Sequence, residues 1–190
     1  IIIENNDFVL CQSGIKLFEN VNGSSIEDNK FDRNQQGIRF HRSGFHTITD
    51  NTFTDNYEGI KLDSGSSNNL IYNNYFDNTA INAEDHIDNL NTWNVTKQPG
   101  INILGGPYLG GNFWGDYIGE DTDGDSIGDT NIPYTGSGNI ENGGDYLPII
   151  LSDITPPNVQ VIYPNGGESV NATITVTWVA SDDFDDDLDI

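Results

Sequence analysis

One pattern, Ile-x-x-Asn-x-Phe, occurs four times in the first half of the chain and constrains the fold more than any other feature. It reads Ile3/Asn6/Phe8, Ile26/Asn29/Phe31, Ile48/Asn51/Phe53 and Ile71/Asn74/Phe76, with successive copies 23, 22 and 23 residues apart. Six residues after each of the first three Phe comes Gly-Ile-x-apolar, as Gly14-Ile15-Lys16-Leu17, Gly37-Ile38-Arg39-Phe40 and Gly59-Ile60-Lys61-Leu62. The fourth copy is degenerate, with Ala80-Ile81-Asn82-Ala83. A fixed period of this kind means stacked units that share one continuous core. Short alternating strands at this period predict an all-β chain, a parallel β-helix with one coil per repeat. The competing leucine-rich repeat needs regularly spaced Leu, which is scarce here.

Stacked strands lie ~4.8 Å apart, so each side chain meets its equivalent one coil away. Ile3, Phe8, Ile15, Leu17 and their equivalents are therefore expected to point inward in columns. Asn6, Asn29, Asn51 and Asn74 are expected to form an internal ladder that satisfies turn backbone. A second Asn follows Phe by three positions (Asn34, Asn56), with Cys11 in that slot of the first copy and Asn78 one place early in the last. Cys11 is expected to be a small buried side chain there. The glycines before Ile are expected to make the tight corners with positive φ. Lys16, Arg39 and Lys61 share one outward column, either a stripe for acidic glycan or partners, or solvated charges offset by Glu58 and Asp63.

Charge excludes several functions. The 7 Lys+Arg face 30 Asp+Glu, a net charge of −23. No basic face exists to displace counterions from nucleic acid. No apolar run is long enough to span a bilayer. The 25 Asn stand in register with 20 aromatic residues, which sets the chain apart from a disordered acidic polymer. One Cys makes no internal disulfide. The chain starts at Ile1 without a leader and reads as an internal piece of a longer, secreted protein.

All basic residues lie at or before Lys97, whereas residues 98–190 hold 16 acids. Three segments are expected: coils over 1–90, an aromatic and glycine-rich cap over 91–151, and a linker with part of a further domain over 152–190. The 22-residue rhythm is expected to stop after Asp85. Trp93, Tyr108, Phe113, Trp114 and Tyr117 are suited to cover the open end of the coils, or alternatively to stack on sugar rings. Asp121, Asp123, Asp125 and Asp129 stand at i, i+2, i+4 and i+8. Alternate carboxylates in a tight loop converge on one centre, which a hard cation such as Ca²⁺ fills with oxygen ligands, the Ile127 carbonyl adding another. It is not an EF-hand, since position 6 is Ser126 and position 12 is Ile132. It is closer to the calcium loops of thrombospondin type 3 repeats, which usually carry Gly where Ser126 stands.

The repeats, the run Gly105-Gly106-Pro107-Tyr108-Leu109-Gly110-Gly111-Asn112-Phe113-Trp114 and the segment Asp121–Asp129 together resemble NosD-like right-handed parallel β-helix proteins. The versions most like it are large surface proteins of methanogenic archaea. The resemblance covers residues 1–151 and implies an extracellular or cell-surface location and a right-handed helix. It also implies kinship with the wider carbohydrate-binding and sugar-hydrolase β-helices.

After the linker around Pro156-Pro157, Val159–Glu168 reads as a strand and turn. Thr173–Trp178 alternates as a half-buried strand with Trp178 in a core. This opening resembles an immunoglobulin-like module, of which only the beginning is present. Asp182, Asp183, Asp185 and Asp187 form either a second calcium site or a solvated loop. Sequons at Asn22, Asn94 and Asn171 are candidate glycosylation sites. Asp28 and Asp50 share a column, but no motif assigns a nucleophile, so no enzyme is expected. Copper is disfavoured by the absence of Met and by scattered His41, His46 and His86. The expected function is a calcium-stabilised surface-layer, sheath or filament component that self-assembles or joins other surface proteins. The alternative is a β-helix that binds or cleaves glycans.

Overall fold

The computed structural model describes residues 1–151, 158–167, 169 and 173–181. The chain divides into two compact units, Ile1–Ser152 and Asp153–Ile190. Each coil of the first unit contributes three short strands. The first coil holds β1 (Ile2–Glu4), β2 (Asp7–Val9) and β3 (Ser13–Phe18). The second holds β4 (Ser25–Glu27), β5 (Lys30–Asp32) and β6 (Gln36–His41). The third holds β7 (Thr47–Thr49), β8 (Thr52–Thr54) and β9 (Glu58–Leu62). The fourth holds β10 (Leu70–Tyr72), β11 (Tyr75–Asp77) and β12 (Ile81–Asp85). Every strand pairs in parallel with its equivalent one coil away, giving three parallel sheets around one core. This is a parallel β-helix.

Register follows the repeat. Ile3 pairs with Ile26, Ile26 with Ile48 and Ile48 with Ile71. The rings of Phe8, Phe31, Phe53 and Phe76 stack at centroid distances of 5.0, 4.6 and 4.7 Å. Ile15, Ile38, Ile60 and Ala83 form a third column. Leu17, Phe40 and Leu62 form a fourth, which ends on Asp85. Identical neighbours make stacking register-specific, because a slip of one residue would turn every column outward.

The corners differ from expectation. Gly14, Gly37 and Gly59 do not adopt positive φ. Left-handed residues sit instead at Asn5, Asp28, Asp50 and Asn73, at Leu10, Arg33 and Asp55, and at Gly23, Phe45 and Asn68. Each immediately precedes a residue whose side chain or backbone joins a ladder, so one strained residue turns the chain and the next secures the turn. The glycines answer a different need. A Cβ on Gly37 would lie 2.6 Å from the Gly59 carbonyl oxygen and 2.7 Å from the Phe53 ring.

The expected ladder is present. Asn29 N and Nδ2 donate to Asn51 Oδ1 at 3.0 and 3.1 Å, and Asn51 does the same to Asn74. A second runs from Cys11 N through Asn34, Asn56 and Asn78. Cys11 is exposed rather than buried, because the first coil has no described coil beyond it. A third ladder, unforeseen from the sequence, runs through Ser24, His46, Asn69 and Asn91.

The period also outlasts Asp85. Thr92 bridges Leu70, which places the buried Trp93 next in the Ile column. The chain then makes an excursion carrying β13 (Gln98–Pro99) and β14 (Tyr108–Leu109), which pair antiparallel. It rejoins the stack at β15 (Phe113–Trp114), where Asn112 and Trp114 take the places of Asn74 and Phe76. Trp114 stacks on Phe76 at 4.6 Å and Tyr134 on Trp114 at 4.3 Å. Trp93 and Trp114 are buried, while Tyr108, Phe113 and Tyr117 are half-buried. Tyr134 and Ile140 complete the cover.

Two carboxylates are wholly buried in this cap. Asp85 accepts from Asn89 Nδ2, Asn91 Nδ2 and Trp93 Nε1. Asp145 accepts from the Asn112 and Leu147 backbone N–H groups and from Trp114 Nε1 at 2.9 Å. A Cβ on Gly111 would overlap the Asp145 carboxylate, so only glycine fits there.

In the second unit, β16 (Asn158–Tyr163) and β17 (Thr177–Ser181) pair antiparallel. The strand predicted over Thr173–Trp178 begins only at Thr177. Trp178 is 41% exposed rather than in a core, since the two strands among the described residues cannot enclose one by themselves. The described residues of this unit amount to one strand pair, short of a sandwich.

Candidate functional site

The acidic loop hangs between Glu120 and Thr130 and is anchored at both ends. Asp129 N donates to the Glu120 carbonyl at 2.8 Å, and Glu120 N to Thr130 Oγ1 at 2.9 Å. Gly128 N reaches the Pro148 carbonyl, and Ile150 N reaches the Ser126 carbonyl. Ile127 is buried and bridges Ile149, so its side chain pins the loop to the cap.

The loop winds around Asp121. Its Oδ1 accepts from Gly124 N at 2.7 Å, and its Oδ2 from Ser126 N at 2.7 Å. Gly124 and Ser126 both adopt left-handed backbone, with φ of 78° and 72°. Ser126 thus holds a backbone conformation that Gly adopts without strain. Asp129 Oδ2 accepts from the Thr122 N–H and hydroxyl at 2.8 and 2.6 Å. Those bonds favour the ionised form and hold the Asp129 carboxyl below its ordinary range.

Asp121, Asp123 and Asp129 each bring a carboxylate oxygen to within 4.8 Å of the others. Asp121 is half-buried and the other two are exposed. Asp125, expected as a fourth member, is not in that group but shares Lys97 with Asp123. Its Oδ1 accepts from Ile127 N at 2.9 Å, and its Oδ2 is in direct contact with Lys97 Nζ. The Lys97 ammonium also lies 3.9 Å from Asp123 and 5.1 Å from the centre of the Tyr108 ring. Sequence reasoning overlooked Lys97, the last basic residue in the chain. Its place in the excursion next to Tyr108 gave no local signal.

The other candidates are dispersed. Asn22 is exposed in a turn, with its Oδ1 accepting from Gly44 N. Asn94 is half-buried between Val95 and Tyr146. Asn171, Asp182, Asp183, Asp185 and Asp187 lie outside the described residues. The Lys16, Arg39 and Lys61 column is largely neutralised. Arg39 pairs with Asp63 at 2.9 Å and Lys61 with Glu84 at 2.7 Å, while Lys16 lies over Phe18. Asp28 and Asp50 line an open polar trough of about 410 Å³ together with Asn5, Lys30 and Thr52.

A stack of parallel coils closed by an aromatic cap defines a β-helix repeat protein. Residues 1–119 match the family model described as "Periplasmic copper-binding protein (NosD)". The match covers more than half of the chain, and the chain belongs to the NosD family. It takes in the coils and the return strand at Phe113–Trp114 but ends before the acidic loop. No curated protein and no solved structure gives a significant match. The family is described as periplasmic, which places the protein outside the cytoplasmic membrane. Among the described residues no helix is long and apolar enough to cross a membrane.

Proposed function

We propose that this chain is a structural module of a cell-surface protein, in which stacked coils supply stiffness and Ca²⁺ holds the acidic loop closed beside the cap. The observation that carries this reading is the convergence of Asp121, Asp123 and Asp129 within 4.8 Å on a loop already wound by Asp121. Hard oxygen donors of this kind suit Ca²⁺, which accepts irregular geometry and completes its shell with water or carbonyls. Bound there, the cation would offset repulsion among the three carboxylates. High negative charge keeps the module soluble and lets cations bridge neighbouring copies. Electron microscopy of the native protein with and without a chelator tests the assembly role. Lattices or filaments that loosen on chelation support it, and dispersed particles under both conditions contradict it.

The copper of the family's description does not suit this chain's residues. Cu sites draw on clustered imidazole and sulfur. His46 is buried with Nδ1 accepting from Ser24 N and Nε2 bonded to Ser43 Oγ. His41 faces Asp63, His86 faces Asp88, and Cys11 contacts the Val9 carbonyl. Among the described residues, only the three aspartates form a group able to share a metal ion.

A second reading, glycan binding, has one observation in its favour. A cleft of about 220 Å³ beside the cap is lined by Asp116, Tyr117, Asn131, Tyr134 and Ser137. Aromatic faces beside a carboxylate and an amide match the mixed character of a sugar ring. NMR titration with neutral hexoses separates the readings, since saturable shifts at Tyr117 and Tyr134 would favour this one.

A further inference from the structure

A ladder of asparagines has a direction. In every coil-to-coil step the backbone N–H of one rung donates to a side-chain acceptor of the next, toward the cap, and where the rung is Asn its Nδ2 reaches the same Oδ1. Each rung therefore hands on one need, because its own backbone N–H requires an acceptor one step further, whereas its Nδ2 also donates to backbone carbonyls nearby. An amide that ended such a chain would bring two further N–H donors that need a partner or solvent. A carboxylate brings none, because it accepts and donates nothing.

All three ladders end on one. The first runs Asn6, Asn29, Asn51, Asn74 and Asn112, and Asn112 N donates to Asp145 Oδ2 at 2.7 Å. The second runs Cys11, Asn34, Asn56, Asn78 and Asn82, and Asn82 Nδ2 donates to Asp116 Oδ1 at 2.7 Å. The third runs Ser24, His46, Asn69 and Asn91, and Asn91 Nδ2 donates to Asp85 Oδ1 at 2.9 Å. The terminators come from unrelated places. Asp85 ends a strand, Asp116 follows Trp114, and Asp145 lies 33 residues beyond the rung it accepts from. Three independent endings of the same chemistry point to a requirement of the ladder rather than to local packing.

We propose that Asp85, Asp116 and Asp145 are the terminators of three polarised amide ladders, each positioning the rungs of its own ladder through the stack. Aligned hydrogen bonds polarise one another, so the last acceptor strengthens bonds several coils away. The same arrangement closes this end of the stack. With every donor taken up, no ladder is left to recruit a further coil.

The terminators differ in a way that makes the proposal testable. Asp145 and Asp85 accept on both oxygens. Asp116 accepts on Oδ1 alone, from Asn82 and the Tyr134 hydroxyl, and is exposed. Asp116→Ala therefore removes the terminator at a position where the fold survives. Asp116→Asn keeps the acceptor and turns its new amide to solvent. Native-state amide exchange read by NMR on the full chain decides. In Asp116→Ala the backbone N–H groups of Asn78 and Asn56 exchange at least about tenfold faster, while those of Asn51 and Asn69 stay within about twofold. Asp116→Asn restores the native rates. Asp145→Asn is expected to loosen Asn74 and Asn51 but not Asn69. Acceleration spread evenly over all three ladders, or none beyond Asn82, overturns the proposal, and the Asp116 pair alone is enough to decide it.

Discussion

In the coils, a buried side chain meets its own kind. Phe31 lies between Phe8 and Phe53 in near-parallel stacks, and Ile26 and Ile48 have the same neighbours above and below. In the cap almost no contact repeats. Trp93 packs tilted against Trp114, Asp145 is buried against Gly111, and the acidic loop is fastened by single hydrogen bonds to Pro148 and Ile150. The comparison separates two sources of stability. Coils draw on apolar area multiplied by repetition, whereas the cap draws on a few polar contacts that each occur once. Damage to the apolar columns of a coil should be expensive and independent of pH. Damage to the cap should be smaller, specific and dependent on pH or cation.

The largest effect is expected in the coils. Phe53→Ala empties the middle of the aromatic column and should cost about 4 kcal/mol. Denaturant unfolding checks this, and a loss below about 1 kcal/mol would mean that the column repacks. In the cap, Asp145→Asn sets an amide against Trp114 or Leu147 N–H and should cost about 2 kcal/mol. It should also change the pH profile. Burial pushes the Asp145 carboxyl up to about 6 from 3.8, despite its donors. The native state then holds the proton where the unfolded chain has released it. The group's contribution is fully present below about pH 4 and is lost as pH rises toward 6. The variant should lack that slope, and an unchanged profile would remove Asp145 from the account.

His46 brings the opposite sign into a coil. Burial holds its imidazole below the ordinary 6.5, and Nδ1 accepts from Ser24 N. Its contribution is present above about pH 6.5 and is lost in acid, when the proton displaces that bond. His46→Asn supplies the usual ladder acceptor but gives up the contact with Phe40. It should lose about 1 kcal/mol at pH 8 and narrow or reverse that deficit at pH 5. Equal losses at both pH values would show that the ring serves packing alone. The smallest effect is expected on the outer face, where Glu84→Gln opens a half-exposed pair with Lys61. It should cost about 0.5 kcal/mol, vanishing at high salt.

How much could be read from the sequence follows the same division. The Ile and Phe columns and the first ladder were legible because equal residues recur at equal spacing. The third ladder was hidden because its rungs, Ser24, His46, Asn69 and Asn91, differ in kind while sharing one backbone role. Trp93 stands 22 residues after Ile71, but the change from Ile to Trp disguised the period. Asn112 and Trp114 repeat Asn74 and Phe76 after an excursion that broke the spacing. The corner glycines were misread because glycine also serves close approach, as Gly37 does. The acidic loop was legible as alternating Asp, but the turn of Asp125 toward Lys97 depends on a partner 28 residues away.

The claim that a cation holds the acidic loop closed is met most directly by calorimetric titration of the full chain with CaCl₂. The account predicts saturable heat at or below millimolar Ca²⁺, lost when Asp121 and Asp129 are both changed to Asn. Absence of heat at millimolar Ca²⁺ would contradict it and leave the loop held by its own hydrogen bonds.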